Sequence, residues 1–117
     1  MRRRFGKVIS ELAKKDEKIV LLVGDIGYGI FDDFRKEHPK KFFNLGICEQ
    51  SIIGLASGMA LEGLKPWVYT ITPFLIERPF EQIKLDIDQQ NVNQIEPILK
   101  RCLDNNKTTI RISLKFL

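Results

Sequence analysis

The 117-residue chain has little of what most small catalytic or secreted folds depend on: two cysteines, Cys48 and Cys102, and one histidine, His38. The cysteines match no zinc-ligand spacing and are too few for a disulfide framework, which points to a reducing cytoplasm. A lone histidine leaves no His-based metal cluster and no Ser-His-Asp arrangement, so no metal site is expected in this chain. Placed before Pro39 in a charged segment, His38 reads as a surface helix end. No apolar run approaches the roughly 18 residues that span a bilayer. The longest, residues 19–24, stops at Asp25. The basic start Arg2-Arg3-Arg4 is followed by Lys7, Glu11 and Lys14 where an export signal needs an apolar stretch, so neither membrane nor export is expected. The net charge of +4 comes from clusters such as Lys14-Lys15 and Arg35-Lys36, interleaved with Asp16, Glu17, Asp32, Asp33 and Glu37. That mixture describes solvated helix ends rather than a phosphate-binding face, so nucleic acid is not an expected partner.

What is present is an ordinary globular composition, 44% hydrophobic and 29% charged, with hydrophobic patterning that alternates in type. Phe5, Val8, Ile9 and Leu12 form a helical stripe over residues 4–15, and residues 19–23 form a continuous apolar run suited to a strand buried on both faces. Three glycines in residues 24–29 require a loop. Residues 32–37 read as a short helix stopped by His38-Pro39, and residues 42–46 as a strand. Residues 49–64 have helical length, with Gly54 and Gly58 four apart; glycine costs about 1 kcal/mol against alanine there, so close approach of another backbone is expected. Gly63 ends that helix and residues 66–71 make a third strand. Pro79 opens a further helix with Phe80, Ile83 and Ile87 on one face through Gln90; another helix follows from Ile95, and residues 110–114 alternate as an edge strand. Such alternation predicts an α/β fold of three layers, a mostly parallel sheet with helices on both faces, in a single domain over residues 1–117.

Chemistry is sparsely signalled. The loop Gly24-Asp25-Ile26-Gly27-Tyr28-Gly29 follows a strand, where open α/β sheets bind ligands, yet it fits neither the dinucleotide fingerprint nor the P-loop. Cys48 precedes a helix start, where its thiol pKa could be lowered, but it reads more readily as a small buried residue. Glu49 lies in the first turn of the small-residue helix, where exposed N–H groups favour an acid, and that is by itself a sufficient structural role.

The run Phe42-Phe43-Asn44-Leu45-Gly46-Ile47-Cys48-Glu49-Gln50, followed by residues 54–63, resembles the pyrimidine-binding domain of transketolase-like, thiamine-diphosphate-dependent enzymes, the group that includes 1-deoxyxylulose-5-phosphate synthase. Phe5-Gly6 with Leu12, residues 19–27 and residues 70–88 resemble further motifs in the same order, so the likeness runs over about residues 3–93. The resemblance implies the pyrimidine module of the thiamine-diphosphate-binding fold. It also implies a role for Glu49: hydrogen bonding to N1′ of the cofactor's aminopyrimidine, favouring the imino tautomer that accepts the thiazolium C2 proton. Phe74 matches an aromatic that packs on that ring. Ile71 stands where the family often has a second aromatic wall, and Asp25 and Arg78 match a loop acid and a helix-start arginine in supporting roles.

The departures from the family pattern are as informative. The Gly-Asp-Gly motif and downstream asparagine that hold magnesium and diphosphate are absent, and Gly24-Asp25-Ile26 does not replace them. After residue 93 the family continues with a strand, a histidine-bearing loop and a helix, whereas residues 94–117 resemble the domain's closing helix and strand, so a segment is expected to be missing between residues 93 and 94. The resemblance therefore implies the pyrimidine-binding part of a split enzyme that transfers a two-carbon ketol unit between sugars or sugar phosphates. Thiamine diphosphate would be shared with a diphosphate-binding partner chain, which holds the magnesium, in a homo- or hetero-oligomer. The alternative is a truncated, inactive remnant that at most docks onto a partner subunit.

Overall fold

The computed structural model describes residues 2–89 and 112–113. Strands β1 (Ile19–Val23), β2 (Phe42–Asn44), β3 (Lys65–Tyr69) and β4 (Ile112–Ser113) form one sheet in the order β2-β1-β3-β4. The first three are parallel, with Leu21 opposite Phe42 on one side and Trp67 on the other. β4 joins antiparallel at the edge, pairing Val68 with Ile112. The sheet is thus mostly parallel as the alternation predicts, and the expected edge strand is seen over Ile112–Ser113. The helix expected from Ile95, Cys102, and the boundary expected between residues 93 and 94 lie outside the described residues.

All five residues of β1 are buried, as a two-sided strand requires. Ile19, Leu21 and Val23 face a cluster with Phe5, Phe31, Phe34 and Tyr69. Leu22 faces the opposite cluster with Ile52, Ile53, Ala56, Val68 and Leu75. Helices α1 (Arg2–Lys15) and α2 (Asp32–Glu37) supply the first side, and α3 (Glu49–Leu61) the second. The aromatic side is locked by Tyr69, which stacks on Phe5 with centroids 5.7 Å apart and takes Phe31 edge-on at 4.8 Å.

Three local expectations are corrected. The buried stripe of α1 is Phe5, Gly6, Ile9, Ser10 and Ala13, whereas Val8 and Leu12 are 48% and 38% exposed. The helix turns its small residues inward because Gly6 lies against the Ile30 backbone, where a Cβ would collide with the carbonyl oxygen. Residue 71 is not in a strand: β3 ends at Tyr69, and α4 (Thr72–Ile76) begins on the extended Ile71 with Pro73 in its first turn. The helix expected from Pro79 to Gln90 is seen over residues 80–88, but it is not α-helical throughout. A single turn, α5 (Phe80–Gln82), passes into a π-helical segment, Ile83–Asp88, which buries Ile87 and leaves Phe80 63% exposed.

The π-helical segment packs beside α3. Ser57 Oγ donates to the Asp86 carbonyl at 2.5 Å, and a Cβ on Gly54 would touch the Asp86 carboxylate at 3.4 Å. That is an ordinary contact with a side chain, and Gly58 has open space around it, so among the described residues the close backbone approach expected at these two glycines is not seen. No helix among the described residues is long and apolar enough to cross a membrane.

Candidate functional site

The C-terminal ends of parallel strands are where the chain leaves the sheet and backbone N–H groups converge, and the candidate residues collect there. β2 ends at Asn44, a short loop follows, and Cys48 caps α3 so that Glu49 is its first residue. The same end of β3 delivers Thr70, then α4 carrying Phe74, then Arg78 in the link to α5.

Glu49 is fully buried, yet its carboxylate is not orphaned. Thr70 Oγ1 donates to Oε1 at 3.3 Å, and Arg78 Nη1 donates to Oε2 at 2.9 Å. The pair is lopsided in exposure: the Glu49 side chain is 1% exposed and that of Arg78 37%. The same guanidinium lies over the Phe74 ring, its Cζ 3.6 Å from the centroid, a cation–π contact. Arg78 therefore links Glu49 to Phe74. Gly24, at the end of β1, closes the floor: a Cβ there would stand 3.1 Å from Thr70 Oγ1 and 3.4 Å from Glu49 Oε1.

Asp25 is one residue away but belongs to a different set of contacts. Its φ of 52° is in the left-handed region, uncommon for a side chain with a Cβ. Asn44 holds it there from both ends, accepting the Asp25 N–H at 3.1 Å and donating Nδ2 to Asp25 Oδ1 at 2.9 Å. Tyr28 donates its hydroxyl to the same Oδ1 at 2.8 Å. These bonds from Asn44 and Tyr28 hold the Asp25 carboxyl below its ordinary pKa, and the carboxylate in turn raises that of Tyr28. Asn44 Oδ1 also accepts the Gly46 N–H at 3.1 Å, so one amide ties the loop after β1 to the loop that leads into Glu49. A recess of about 340 Å³ opens on this side, lined by Tyr28, Arg35 and Asn44 among others, and Glu49, Phe74 and Arg78 take no part in it.

Of the residues singled out from sequence, Glu49, Phe74 and Arg78 come together. Ile71 is half-buried at the start of α4, directly after Thr70. Asp25 touches the site only through its neighbour Gly24. Thr70 and Asn44 escaped the sequence reading. A threonine at the end of a strand passes for a β-former, and Asn44 passes for one more residue of the strand expected over 42–46. The usable signal was position, since both stand at C-terminal strand ends. Among the described residues no group of three or more His, Cys, Asp or Glu could hold a metal ion.

Comparison with known proteins supplies the family. The family model described as transketolase, pyrimidine binding domain, matches residues 1–96. A 33.6 kDa protein of the fasciation locus of Rhodococcoides fascians is 40% identical over 91 residues, covering 78% of this chain and 29% of that protein. The 1-deoxy-D-xylulose-5-phosphate synthase of Clostridium perfringens is 42% identical over 89 residues, covering 75% of this chain and 14% of the enzyme. A solved structure described as a split gene transketolase, inactive beta4 tetramer, superimposes with a TM-score of 0.62 at 38% identity, covering 68% of this chain and 27% of that one. The chain thus spans less than a third of the length of these relatives. With the fold, the motif order and the family model in agreement, this chain belongs to the transketolase pyrimidine-binding-domain family.

Proposed function

We propose that the chain is the pyrimidine-binding part of a transketolase-like enzyme, and that Glu49 is the carboxylate serving the cofactor's aminopyrimidine. Transketolases and 1-deoxy-D-xylulose-5-phosphate synthases depend on thiamine diphosphate. The observation that carries the reading is the buried Glu49 carboxylate beside the Phe74 ring at the C-terminal end of the sheet.

The residues present fit such a ring. A buried acid is costly without a polar partner, so its retention in a dry place favours a role in which it meets one. Glu49 would accept the hydrogen bond at N1′, Phe74 would give the stacking face, and Ile71 would add an apolar wall where relatives carry an aromatic. Bound there, the cofactor supplies the carbanion chemistry of two-carbon ketol transfer between sugars or sugar phosphates. This chain's own residues do the rest. Thr70 fixes one oxygen of Glu49, Arg78 balances its charge while no ring is bound, and the Asp25–Asn44 contacts hold the loop that aims it. Magnesium and diphosphate would be held by a partner chain in a cytoplasmic hetero-oligomer or larger assembly. The solved structure described as a split gene transketolase, inactive beta4 tetramer, supports the reading of a chain that works with partner subunits.

The test is to purify the chain alone and with a partner carrying Gly-Asp-Gly and a downstream asparagine. Calorimetry should show no magnesium-dependent thiamine diphosphate binding by the chain alone and tight binding by the complex. In the complex, Glu49→Gln should slow proton exchange at the bound cofactor's C2 by orders of magnitude while the fold is kept. Exchange at the unmutated rate would return Glu49 to a helix-start role. A complex that never binds the cofactor would leave the chain a docking remnant.

A further inference from the structure

Arg78 engages two surfaces at once, and they are the two that the proposed reading assigns to the aminopyrimidine. Its Nη1 is 2.9 Å from Glu49 Oε2 while its Cζ is 3.6 Å from the Phe74 centroid. One flat group thus fills the space between the carboxylate and the ring. Because that group touches both, the face of Phe74 it covers is the face that adjoins Glu49. A guanidinium is planar and delocalised, stacks on aromatic faces and presents N–H donors in its plane. A protonated aminopyrimidine is the same kind of object. With the guanidinium 3.6 Å above the ring, nothing else can stack on that face.

We propose that Arg78 is a built-in stand-in for the ligand: in the ligand-free chain its guanidinium occupies the space between Glu49 and the Phe74 ring and must swing out before the pyrimidine ring can enter. The proposal rests on the pyrimidine-binding reading of the site and adds its regulation. Two further observations fit. Arg78 lies in the link between α4 and α5 with its side chain 37% exposed, so a rotation toward solvent needs no opening of the core. Glu49, being fully buried, needs a counter-charge whenever that space holds no ligand, and Arg78 supplies it. The ligand's apparent affinity is then reduced by the fraction of molecules with Arg78 outside that space. Events that draw Arg78 outward, such as the docking of an acidic partner surface, would open the site.

The experiment uses the full chain and the free aminopyrimidine alcohol fragment of thiamine as probe, which needs no diphosphate site. Binding is followed by NMR titration of wild type, Arg78→Met and Arg78→Lys. Arg78→Met should bind the probe about fivefold or more tighter, in proportion to the closed fraction removed, and methylguanidine should compete with the probe for that variant. Should Arg78→Met fail to fold, the wild-type Arg78 Nε–H resonance decides instead. On saturation with probe it should lose the ring-current shift from Phe74. Equal or weaker binding by Arg78→Met, or an Arg78 signal unmoved by bound probe, overturns the stand-in and leaves the pyrimidine site standing. Absence of probe binding to every variant overturns both.

Discussion

Two carboxylates stand at the same end of the sheet and are held in opposite ways. Asp25 sits on an exposed loop and is gripped by neutral donors, the Asn44 amide and the Tyr28 hydroxyl. Glu49 is buried at a helix start and gripped by a cation and one hydroxyl. Water can replace what holds Asp25, so that contact mainly shapes a loop. Water cannot replace what holds the buried Glu49, and burying a charge so completely gives little net stability even when it is paired. On the proposed reading the difference separates a structural acid from one that serves a ligand, and it can be tested residue by residue.

The largest effect should come from stripping Glu49 of its cation. Arg78→Met leaves a buried carboxylate with Thr70 as its remaining donor, and urea unfolding should show a loss of about 2 to 3 kcal/mol. The figure stays below the usual 3 to 5 for a broken buried pair because Arg78 is partly solvated. Adding Glu49→Gln to Arg78→Met should recover much of that loss, and a double-mutant cycle with no coupling would erase the contrast between the two acids. Next comes Gly24→Ala. Its Cβ would press on Thr70 and Glu49 at 3.1 to 3.4 Å, at a cost of about 1 to 2 kcal/mol, seen as a lowered Tm. Thr70→Val removes the hydroxyl beneath Glu49 and should cost about 1 kcal/mol, with chemical-shift changes centred on the start of α3. A Thr70→Val protein as stable as wild type would mean that Arg78 alone fixes the carboxylate.

The sequence carries the architecture further than it carries the site. β1 was legible because five consecutive buried apolar residues admit one reading in an alternating chain. α3 was legible from its length, its small residues and Gly63, whose φ of 82° confirms the stop. α4 was missed because a five-residue helix is shorter than a period can mark, and Thr72-Pro73 looks like a turn. The π-helical segment was missed because i→i+5 bonding obeys neither hydrophobic period. At the site, Glu49 and Phe74 stood out only through the family resemblance; spacing alone left Glu49 a helix-start acid. The Arg78 bridge joins positions 29 residues apart in sequence, and side-chain direction across that separation is set by packing.

The smallest effect should come from the Asp25 side. Asn44→Ala removes the amide that serves the Asp25 N–H, the Asp25 carboxylate and the Gly46 N–H. Water reaches these exposed groups, so the stability change at neutral pH should stay under about 1 kcal/mol despite the number of bonds lost. The pH dependence is the sharper measure. The Asp25 carboxyl lies below its ordinary value, held there first by Asn44 and then by Tyr28. A carboxyl with a depressed folded-state pKa contributes stability that is present above its unfolded value, about 3.9, and is lost as pH falls through the folded value. Asn44→Ala removes the larger cause, so the Asp25 carboxyl-carbon titration should move up toward 3.9 and its pH-dependent contribution to stability should shrink to what Tyr28 alone sustains. Asp16, lowered by Lys65 and Lys18, and Glu37, lowered by Ser10 and Lys14, keep their own partners in the variant and should titrate unchanged. If Asp25 titrates in Asn44→Ala as it does in wild type, the amide does not hold the carboxylate, and the loop that aims Glu49 is fixed by the backbone alone.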